Sequence, residues 1–171
     1  KVLQKNAFEE IEKNGLEKPV LLHGITGSGK TEVYLKYVEK TLSNGKSCIY
    51  LVPEITLTRE TMRKLTDRFK NVLSFHSGMT PKQRRESWLS CRLGQPMLII
   101  GARSSLFSPI ENLGLIIIDE EHDSSFKQDS NPRYHGRDLA LVRAKTEKAQ
   151  VILGSATPSL ETFTNAKKGK Y

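Results

Sequence analysis

The sequence has 171 residues, enough for one compact domain with a sizeable core and too few for two domains of ordinary size. Charged residues make up 27% and apolar residues 37%, a balance typical of globular rather than disordered chains. Lysine and arginine total 27 against 19 acidic residues, and the net charge of +8 favours polyanionic partners without identifying one.

Membrane, secreted and zinc-finger classes find no support in the sequence. No apolar run approaches the roughly 18 residues of a membrane helix, and no basic and then apolar leader opens the chain. Cys48 and Cys91 have no CxxC motif or histidine-rich surroundings. This spacing predicts two buried, apolar thiols in a reducing compartment and no zinc site, so we expect a cytoplasmic location.

Six short apolar segments recur along the chain, each rich in valine, isoleucine or leucine and bounded by glycine, proline or charged residues. They lack strict alternation of apolar and polar residues, which is typical of strands buried on both faces of a parallel sheet. In chain order they are 20–22, 47–52, 72–75, 97–100, 115–118 and 151–153.

Helical patterns lie between these segments. Thr80 is a capping threonine followed by proline and, at the third helical position, glutamine, which predicts a helix that closes at Gly94. Thr157 precedes a proline and predicts the start of the last helix in the same way. Another helix follows Lys30, with an apolar face formed by Tyr34, Tyr37, Val38 and Leu42.

Strand and helix patterns alternate, which predicts the α/β class with a mostly parallel central sheet and helices on both of its faces. Residues 122–136 are the exception. They have no apolar period and are expected to form a long, aromatic-containing loop.

The strongest local signal is a glycine-rich loop that fits the pattern GxxxxGK[ST] and stands between an apolar strand and an amphipathic helix. Its glycines allow successive backbone N–H groups to face one anion, and the helix N-terminus adds its positive dipole. Lys30 can reach the β- and γ-phosphates of a nucleotide, and the Thr31 hydroxyl can ligate Mg²⁺. The predicted loop is Gly24, Ile25, Thr26, Gly27, Ser28, Gly29, Lys30 and Thr31.

Acidic residues directly follow the apolar segment 115–118, which delivers them to the carboxyl edge of the sheet, where ligands of such folds bind. Asp119 is suited to hold Mg²⁺ through water, and Glu120 to orient or deprotonate the attacking water. Three further strand-like segments lie between Lys30 and Asp119. That long interval favours a RecA-like motor domain over a nucleotide kinase.

Seven segments resemble, in order, the first motor lobe of the superfamily 2 DNA helicases, and among them the PriA family of primosomal replication-restart helicases. The DEEHDSS and RYHGRDLA segments are much more specific than the phosphate-binding loop and distinguish this family from RecQ-type and DEAD-box relatives. The seven are GITGSGKTEVY, LVPEITLT, FHSGMT, IGARSSLF, IIIDEEHDSSFKQ, RYHGRDLALVRA and LGSATPSLET. The resemblance implies a RecA-like P-loop NTPase fold, a three-layer sandwich in which residues 1–171 form a single ATP-binding lobe.

The resemblance also implies roles for individual residues of the nucleotide site. Lys30 and Thr31 bind phosphate and Mg²⁺, Asp119 coordinates the metal, and Glu120 is the general base. Gln4 matches the spacing of the glutamine that reads adenine upstream of the P-loop, although a solvated helix glutamine fits its position equally well.

Two further motifs are implied to couple hydrolysis to DNA and to lobe movement. Glu121 and His122 complete the DEEH box. The SAT element is Ser155, Ala156 and Thr157.

DNA contacts are expected from loops that follow strands. Two of these loops offer hydroxyls, backbone N–H groups and Arg103, which suit phosphates rather than base edges; a solvated or helix-capping role is the alternative for Arg103. Aromatic residues in the loop 122–136 can stack on unpaired bases while its arginines meet phosphate, and the alternative is a small apolar core beneath the loop. The predicted DNA-binding residues are Pro53, Thr56, Arg103, Ser104, Phe126, Arg133, Tyr134, His135 and Arg137.

The resemblance implies the ATP-binding lobe of a 3′-to-5′ DNA helicase that unwinds stalled forks and supports primosome assembly. Its partners would be single-stranded and forked DNA, primosome proteins and single-strand-binding protein. The family's second lobe with its arginine fingers, its zinc module and its N-terminal DNA-binding domain are not in this sequence, so we expect a fragment that is nearly inactive alone. Two alternatives stay open: a lobe of a double-strand DNA translocase, and a basic nucleic-acid-binding module with a vestigial nucleotide site.

Overall fold

The structure is a computed structural model that describes Ile11 and residues 18–171. Gln4, the predicted adenine-reading residue, lies outside the described residues. The strands are β1 (Val20–His23), β2 (Ser47–Leu51), β3 (Val72–Phe75), β4 (Leu98–Gly101), β5 (Leu113–Ile118), β6 (Lys127–Gln128), β7 (Tyr134–His135) and β8 (Gln150–Ser155). The helices are α1 (Lys30–Ser43), α2 (Arg59–Arg68), α3 (Pro81–Ser90), α4 (Gly136–Glu147) and α5 (Leu160–Lys167).

Six of the strands form one parallel sheet in the order β1-β8-β5-β2-β4-β3. Each of them coincides with one of the six apolar segments of the sequence to within a few residues, so that prediction is confirmed. Every residue of β2, β4, β5 and β8 is buried, which explains why these strands read as continuous apolar runs without alternation.

Successive residues of the central strands point to opposite faces and supply two separate cores. Ile116 and Ile118 face a core that includes Ala140 and Ala144 of α4. Ile117 faces the other core, which α1 covers with the four residues Val33, Tyr34, Tyr37 and Val38. Helices therefore cover both faces of the sheet, and the predicted three-layer α/β sandwich is confirmed.

Side-chain capping sets where the later helices begin. Thr80 forms the predicted capping box with Gln83 at the start of α3, and Gly94 takes a left-handed conformation after the short turn that follows this helix. The prediction that Thr157 opens the last helix is wrong, because Ser159 is the capping residue of α5. The Thr157 N–H instead donates to Ser155 Oγ at 3.0 Å within the turn after β8.

The segment 122–136 is more regular than the predicted long loop. Residues Ser124–Phe126 form a 3-10 turn, and β6 and β7 pair as a short antiparallel hairpin. Two-residue strands are too short to show an apolar period, so the sequence pattern could not indicate them.

Both cysteines are buried, as predicted. Burial raises the pKa of the Cys48 thiol to about 12 and that of Cys91 to about 11. Within the described residues, no three His, Cys, Asp or Glu side chains are grouped as a metal site would require, and no helix has the length and apolar character needed to span a bilayer.

Candidate nucleotide site and adjoining surface

Three functional turns meet at the carboxyl edge of the sheet because they follow three adjacent strands. The P-loop follows β1, the DEEH turn follows β5, and the SAT turn follows β8, which pairs with both of these strands. The Gly24 N–H donates to the Ser155 carbonyl at 3.2 Å, and the Glu121 N–H donates to the Gly154 carbonyl at 3.0 Å. The backbone of the SAT turn therefore joins the other two turns.

The P-loop presents unoccupied backbone donors at the start of α1. Gly27 and Gly29 have φ angles of 79° and 89°, which favour glycine, and α1 begins without a side-chain cap. In the described part of the chain, the other four helices are each capped by a side chain, from Thr58, Thr80, His135 and Ser159. The first amides of α1 are thus free to bind an anion.

Lys30 lies over the P-loop and is only 9% exposed. Its Nζ donates to the Gly24 carbonyl at 2.6 Å and lies 3.4 Å from the Ile25 carbonyl. The ammonium group is therefore already held beside the loop amides that would surround a phosphate.

Asp119 is held by two tyrosines that the sequence did not assign to the site. The Tyr34 hydroxyl donates to Oδ1 and the Tyr50 hydroxyl to Oδ2, each at 3.2 Å. Burial raises the pKa of the Asp119 carboxyl, and the neighbouring Glu120 charge raises it further, whereas the tyrosine hydrogen bonds oppose this. Because Tyr34 belongs to α1, the contact also places Asp119 beside the helix that begins at the P-loop.

Glu120 occupies a strained backbone position with a φ of 49°. A left-handed conformation costs a residue other than glycine about 1–2 kcal/mol, and such strain concentrates at functional sites. The carboxylate stays half-buried, with Oε2 lying 3.7 Å from His122 Nδ1. The turn thus directs Glu120 away from the buried interior, to where a water molecule can reach it.

Glu121 is buried, with 1% of its surface exposed, and accepts hydrogen bonds from the start of α5. Oε1 accepts from the Ser159 N–H at 2.7 Å, and Oε2 accepts from the Ser159 hydroxyl at 3.2 Å and from the Thr162 hydroxyl at 2.9 Å. Arg137 Nη1 lies 3.9 Å from Oε2. This carboxylate fastens the DEEH turn to α5.

His122 bridges the DEEH turn to the SAT turn. Its Nδ1 lies 2.7 Å from Ser155 Oγ, and its Nε2 lies 3.4 Å from Thr157 Oγ1. Hydrogen bonds therefore link the DEEH turn to β8 and the SAT turn at every predicted coupling residue. His122 contacts Ser155 and Thr157 through its side chain, and Glu121 contacts the Gly154 carbonyl through its N–H.

The chemistry of these groups fits a nucleoside triphosphate with a divalent cation. Uncapped amides and the Lys30 ammonium supply donors and positive charge for phosphates, and the Thr31 hydroxyl and the Asp119 carboxylate supply oxygen ligands. Tyr50 donates to Asp119, and the Thr31 side chain is near enough to lower the pKa of the Tyr50 hydroxyl, so the two candidate metal ligands share one neighbour.

The predicted DNA-facing residues fall into an exposed group and an anchored group. Thr56, Ser104 and Arg133 are exposed, and Tyr134 is half-buried with its ring edge against Phe107, at 5.5 Å between centroids. A cleft of about 260 Å³ lies beside Ser104 and Tyr134. Pro53 is buried, and its carbonyl accepts from the Thr56 hydroxyl at 2.8 Å.

Arg103 ties its own turn to the hairpin. Its guanidinium donates to the carbonyls of Ser125 and Lys127 and to the Gln128 side chain. Two of these acceptors are backbone atoms, so Arg103 fixes the position of β6 relative to β4. The His135 ring likewise has a structural contact, since its Nδ1 accepts from the Arg137 N–H at 3.2 Å and caps α4.

Two predicted DNA contacts are wrong. Phe126 is 1% exposed and packs in the core against α4 and β5, which matches the alternative of an apolar core beneath the loop. Arg137 is 4% exposed and bonds Glu161 at 2.6 Å and the Thr162 hydroxyl at 3.1 Å. Neither side chain can reach a base or a phosphate from these positions.

Sequence reasoning missed Tyr34, Tyr50 and Ser159 as members of the site. Tyr34 follows Lys30 by one helical turn, a spacing that places both on one side of α1, and this spacing could have indicated it. Tyr50 is a polar aromatic residue within a wholly buried strand, and a buried tyrosine hydroxyl usually has a hydrogen-bond partner. No sequence signal indicated Ser159, because the carboxylate that accepts its hydrogen bonds, Glu121, is far from it in the sequence.

This fold and site define a P-loop ATPase domain of the helicase type. A model of the DEAD/DEAH box helicase family matches residues 1–166, so the chain belongs to that family, whose members take ATP and a divalent metal.

Curated relatives support a narrower similarity. The chain is 47% identical over 172 residues to the replication restart protein PriA of Bacillus subtilis, covering 98% of this chain and 21% of the relative. It is 51% identical over 152 residues to that of Haemophilus influenzae, covering 88% of this chain and 21% of the relative. The resemblance to the replication-restart helicases is therefore confirmed, and the chain spans about a fifth of the length of these relatives.

The fold also matches solved helicase structures. A structure of RecG bound to a three-way DNA junction superposes with a TM-score of 0.70 at 27% identity, covering 99% of this chain and 22% of that chain.

Proposed function

We propose that this chain is the ATP-binding lobe of a 3′-to-5′ DNA helicase that unwinds stalled replication forks and supports primosome assembly at restart. The observation that carries this proposal is the direct hydrogen bonding of the P-loop, the DEEH turn and the SAT turn at one edge of the sheet. The names of the curated relatives and the junction DNA in the RecG structure support replication restart and forked DNA.

In this function, Lys30 neutralises charge on the phosphates, and the uncapped N–H groups at the start of α1 bind them. Thr31 and Asp119 hold Mg²⁺, the latter through water, and the ion when bound would neutralise phosphate oxygens. Glu120 orients the attacking water and accepts its proton. Its carboxylate suits this role because it is only half-buried, on a turn where the residue has a φ of 49°.

The SAT turn transmits movement to the hydrolytic residues. Ser155 and Thr157 contact His122. The Nδ1 atom of His122 lies 3.7 Å from Glu120 Oε2. A second lobe of the same parent protein would supply arginine fingers, which are worth about 10³–10⁵ in rate. Residues 1–171, as a single lobe, should therefore hydrolyse ATP very slowly when isolated.

DNA binds, in this proposal, across the exposed residues of the carboxyl-edge loops. Thr56, Ser104 and Arg133 can donate to phosphates, and Tyr134 can stack on a base at the cleft beside Ser104. Arg103 and His135 position the hairpin that carries Tyr134. The parent protein would act in the cytoplasm with single-strand-binding and primosome proteins, and this lobe would need no zinc.

The test is ATP hydrolysis by the full-length protein with forked, single-stranded and fully duplex DNA. Lys30→Ala should lower forked-DNA-stimulated hydrolysis about 10²-fold or more, because it removes the main phosphate-binding charge. Lys36→Ala is the matched control, since Lys36 lies exposed on the same helix. Unchanged hydrolysis in Lys30→Ala would indicate a vestigial site, and stimulation by duplex alone would indicate a double-strand translocase.

A further inference from the structure

Two buried tyrosine hydroxyls converge on the Asp119 carboxylate. Tyr34 of α1 is 0% exposed and Tyr50 of β2 is 4% exposed, and each donates to a different carboxylate oxygen at 3.2 Å. Their rings pack edge to face, with centroids 5.8 Å apart. Packing in the core therefore fixes where both hydroxyls lie.

The hydrogen bonds leave the two oxygens of Asp119 unequal. The Glu120 N–H donates to Oδ1 at 3.1 Å. Among the described residues, Oδ1 thus accepts from Tyr34 and from Glu120, whereas Oδ2 accepts from Tyr50 alone. Since a carboxylate oxygen offers about two lone-pair positions, Oδ1 is saturated and Oδ2 keeps one position for a further donor.

The surroundings of each tyrosine reinforce this arrangement. Tyr50 donates to Asp119 and lies close enough to the Thr31 side chain for Thr31 to lower its pKa, so one phenol adjoins both residues expected at the metal. Gly154 makes room for Tyr34, because a Cβ at residue 154 would lie 1.5 Å from the Tyr34 hydroxyl oxygen. The contact with Asp119 thus depends on a residue without a side chain in the neighbouring strand.

We propose that Tyr34 and Tyr50 are positioning residues that fix the Asp119 carboxylate in one orientation and leave Oδ2 alone to receive a metal-bound water. The inference rests on the proposed function, because it concerns the same metal and nucleotide site. Removal of such outer hydrogen-bonding partners typically changes metal affinity or activity by about 10–100-fold.

The test measures binding of a non-hydrolysable ATP analogue to the full-length protein by calorimetry, once with Mg²⁺ and once with EDTA. The ratio of the two affinities reports the contribution of the metal. Tyr34→Phe and Tyr50→Phe should each lower this ratio about tenfold while the affinity in EDTA is kept. Tyr171→Phe is the matched control and should keep the wild-type ratio, because its hydroxyl contacts only Asn165 among the described residues.

Several results would overturn the inference. A ratio within about twofold of wild type in both variants would mean that the hydroxyls do not position Asp119 for the metal. A parallel loss of affinity in Mg²⁺ and in EDTA would indicate a merely structural role. Failure of the proposed function gives a different pattern, in which the wild-type protein binds no analogue or Asp119→Asn keeps the wild-type ratio.

Gly154→Ala provides a second variant that moves the Tyr34 hydroxyl without deleting it. It should lower the Mg²⁺-to-EDTA ratio in the same direction as Tyr34→Phe. A folded Gly154→Ala protein with the wild-type ratio would contradict the assignment of Tyr34.

Discussion

His122 Nδ1 lies 2.7 Å from Ser155 Oγ, so the turns after β5 and β8 are joined side chain to side chain. Ser155 Oγ also accepts from the Thr157 N–H at 3.0 Å, which fixes the SAT turn around the same atom. The same Nδ1 lies 3.7 Å from Glu120 Oε2, and the opposite nitrogen, Nε2, lies 3.4 Å from Thr157 Oγ1. One imidazole therefore contacts both the SAT turn and the residue proposed as the general base.

Glu121→Ala should destabilise the protein. The substitution removes the acceptor for the Ser159 N–H and the Ser159 hydroxyl, which are part-buried, and for the Thr162 hydroxyl, which is buried. We expect the free energy of unfolding to fall by about 3 kcal/mol, because buried donors are left without partners. Urea unfolding followed by circular dichroism would measure this.

Glu161→Ala is the matched control for that substitution. Glu161 also pairs with Arg137, but its side chain is 67% exposed. Its loss should cost less than the loss of Glu121, because the Glu161 carboxylate lies in solvent and the buried Arg137 keeps Asp138 as a partner at 3.0 Å. Equal losses in the two variants would mean that Glu121 has no special role in fastening α5.

The central sheet could be predicted because its signal is local and repeated. Each buried strand is a continuous run such as Leu113–Ile118, and the helix after Lys30 has a clear apolar face. The hairpin of β6 and β7 could not be predicted, since its strands pair over two residues each. Helix α2, which was not predicted from the sequence, has a single buried residue, Leu65.

The motifs of the nucleotide site could be predicted from the sequence, but the residues that hold those motifs in place could not. The P-loop spacing and the acidic turn after β5 identify Lys30 and Asp119, because phosphate binding and metal ligation require those residue types there. The tyrosines around Asp119 come from α1 and β2, and only the fold brings them together. Phe126 and Arg137 illustrate the opposite failure, since an aromatic and an arginine in a basic loop can equally well be buried.

Asp119→Asn should make the metal-free protein more stable at neutral pH. Burial raises the folded-state pKa of Asp119 above its unfolded value, so the folded protein binds a proton more readily than the unfolded chain. The stability that this group contributes is therefore present at low pH and lost as pH rises through the folded pKa. The neutral asparagine has no such loss.

The measurement is the free energy of unfolding, in EDTA, of wild type and Asp119→Asn from pH 7 down to about pH 4, the ordinary pKa of an aspartate. The advantage of the variant should shrink as the pH falls, because the wild-type carboxyl takes up a proton. An advantage that grows as the pH falls would contradict the raised pKa of this carboxyl.

Gly154→Ala should be destabilising although the change is small. The added Cβ would lie 1.5 Å from the Tyr34 hydroxyl oxygen and 2.6 Å from its ring, and this tyrosine is fully buried. We expect a cost of about 2 kcal/mol, measured by urea unfolding, because a packed ring must shift. Gly78→Ala is the control, since its Cβ would meet only the His76 ring at 3.3 Å, and it should cost less than about 1 kcal/mol.

Glu120→Gln in the full-length protein tests the central claim most directly, since the amide keeps the shape of the side chain and cannot accept the proton of the attacking water. Hydrolysis of ATP stimulated by forked DNA should fall about 10²- to 10⁴-fold, whereas affinity for a non-hydrolysable ATP analogue should stay within about twofold of wild type. Hydrolysis at the wild-type rate in Glu120→Gln would contradict the account, because the turn after β5 would then not carry the base.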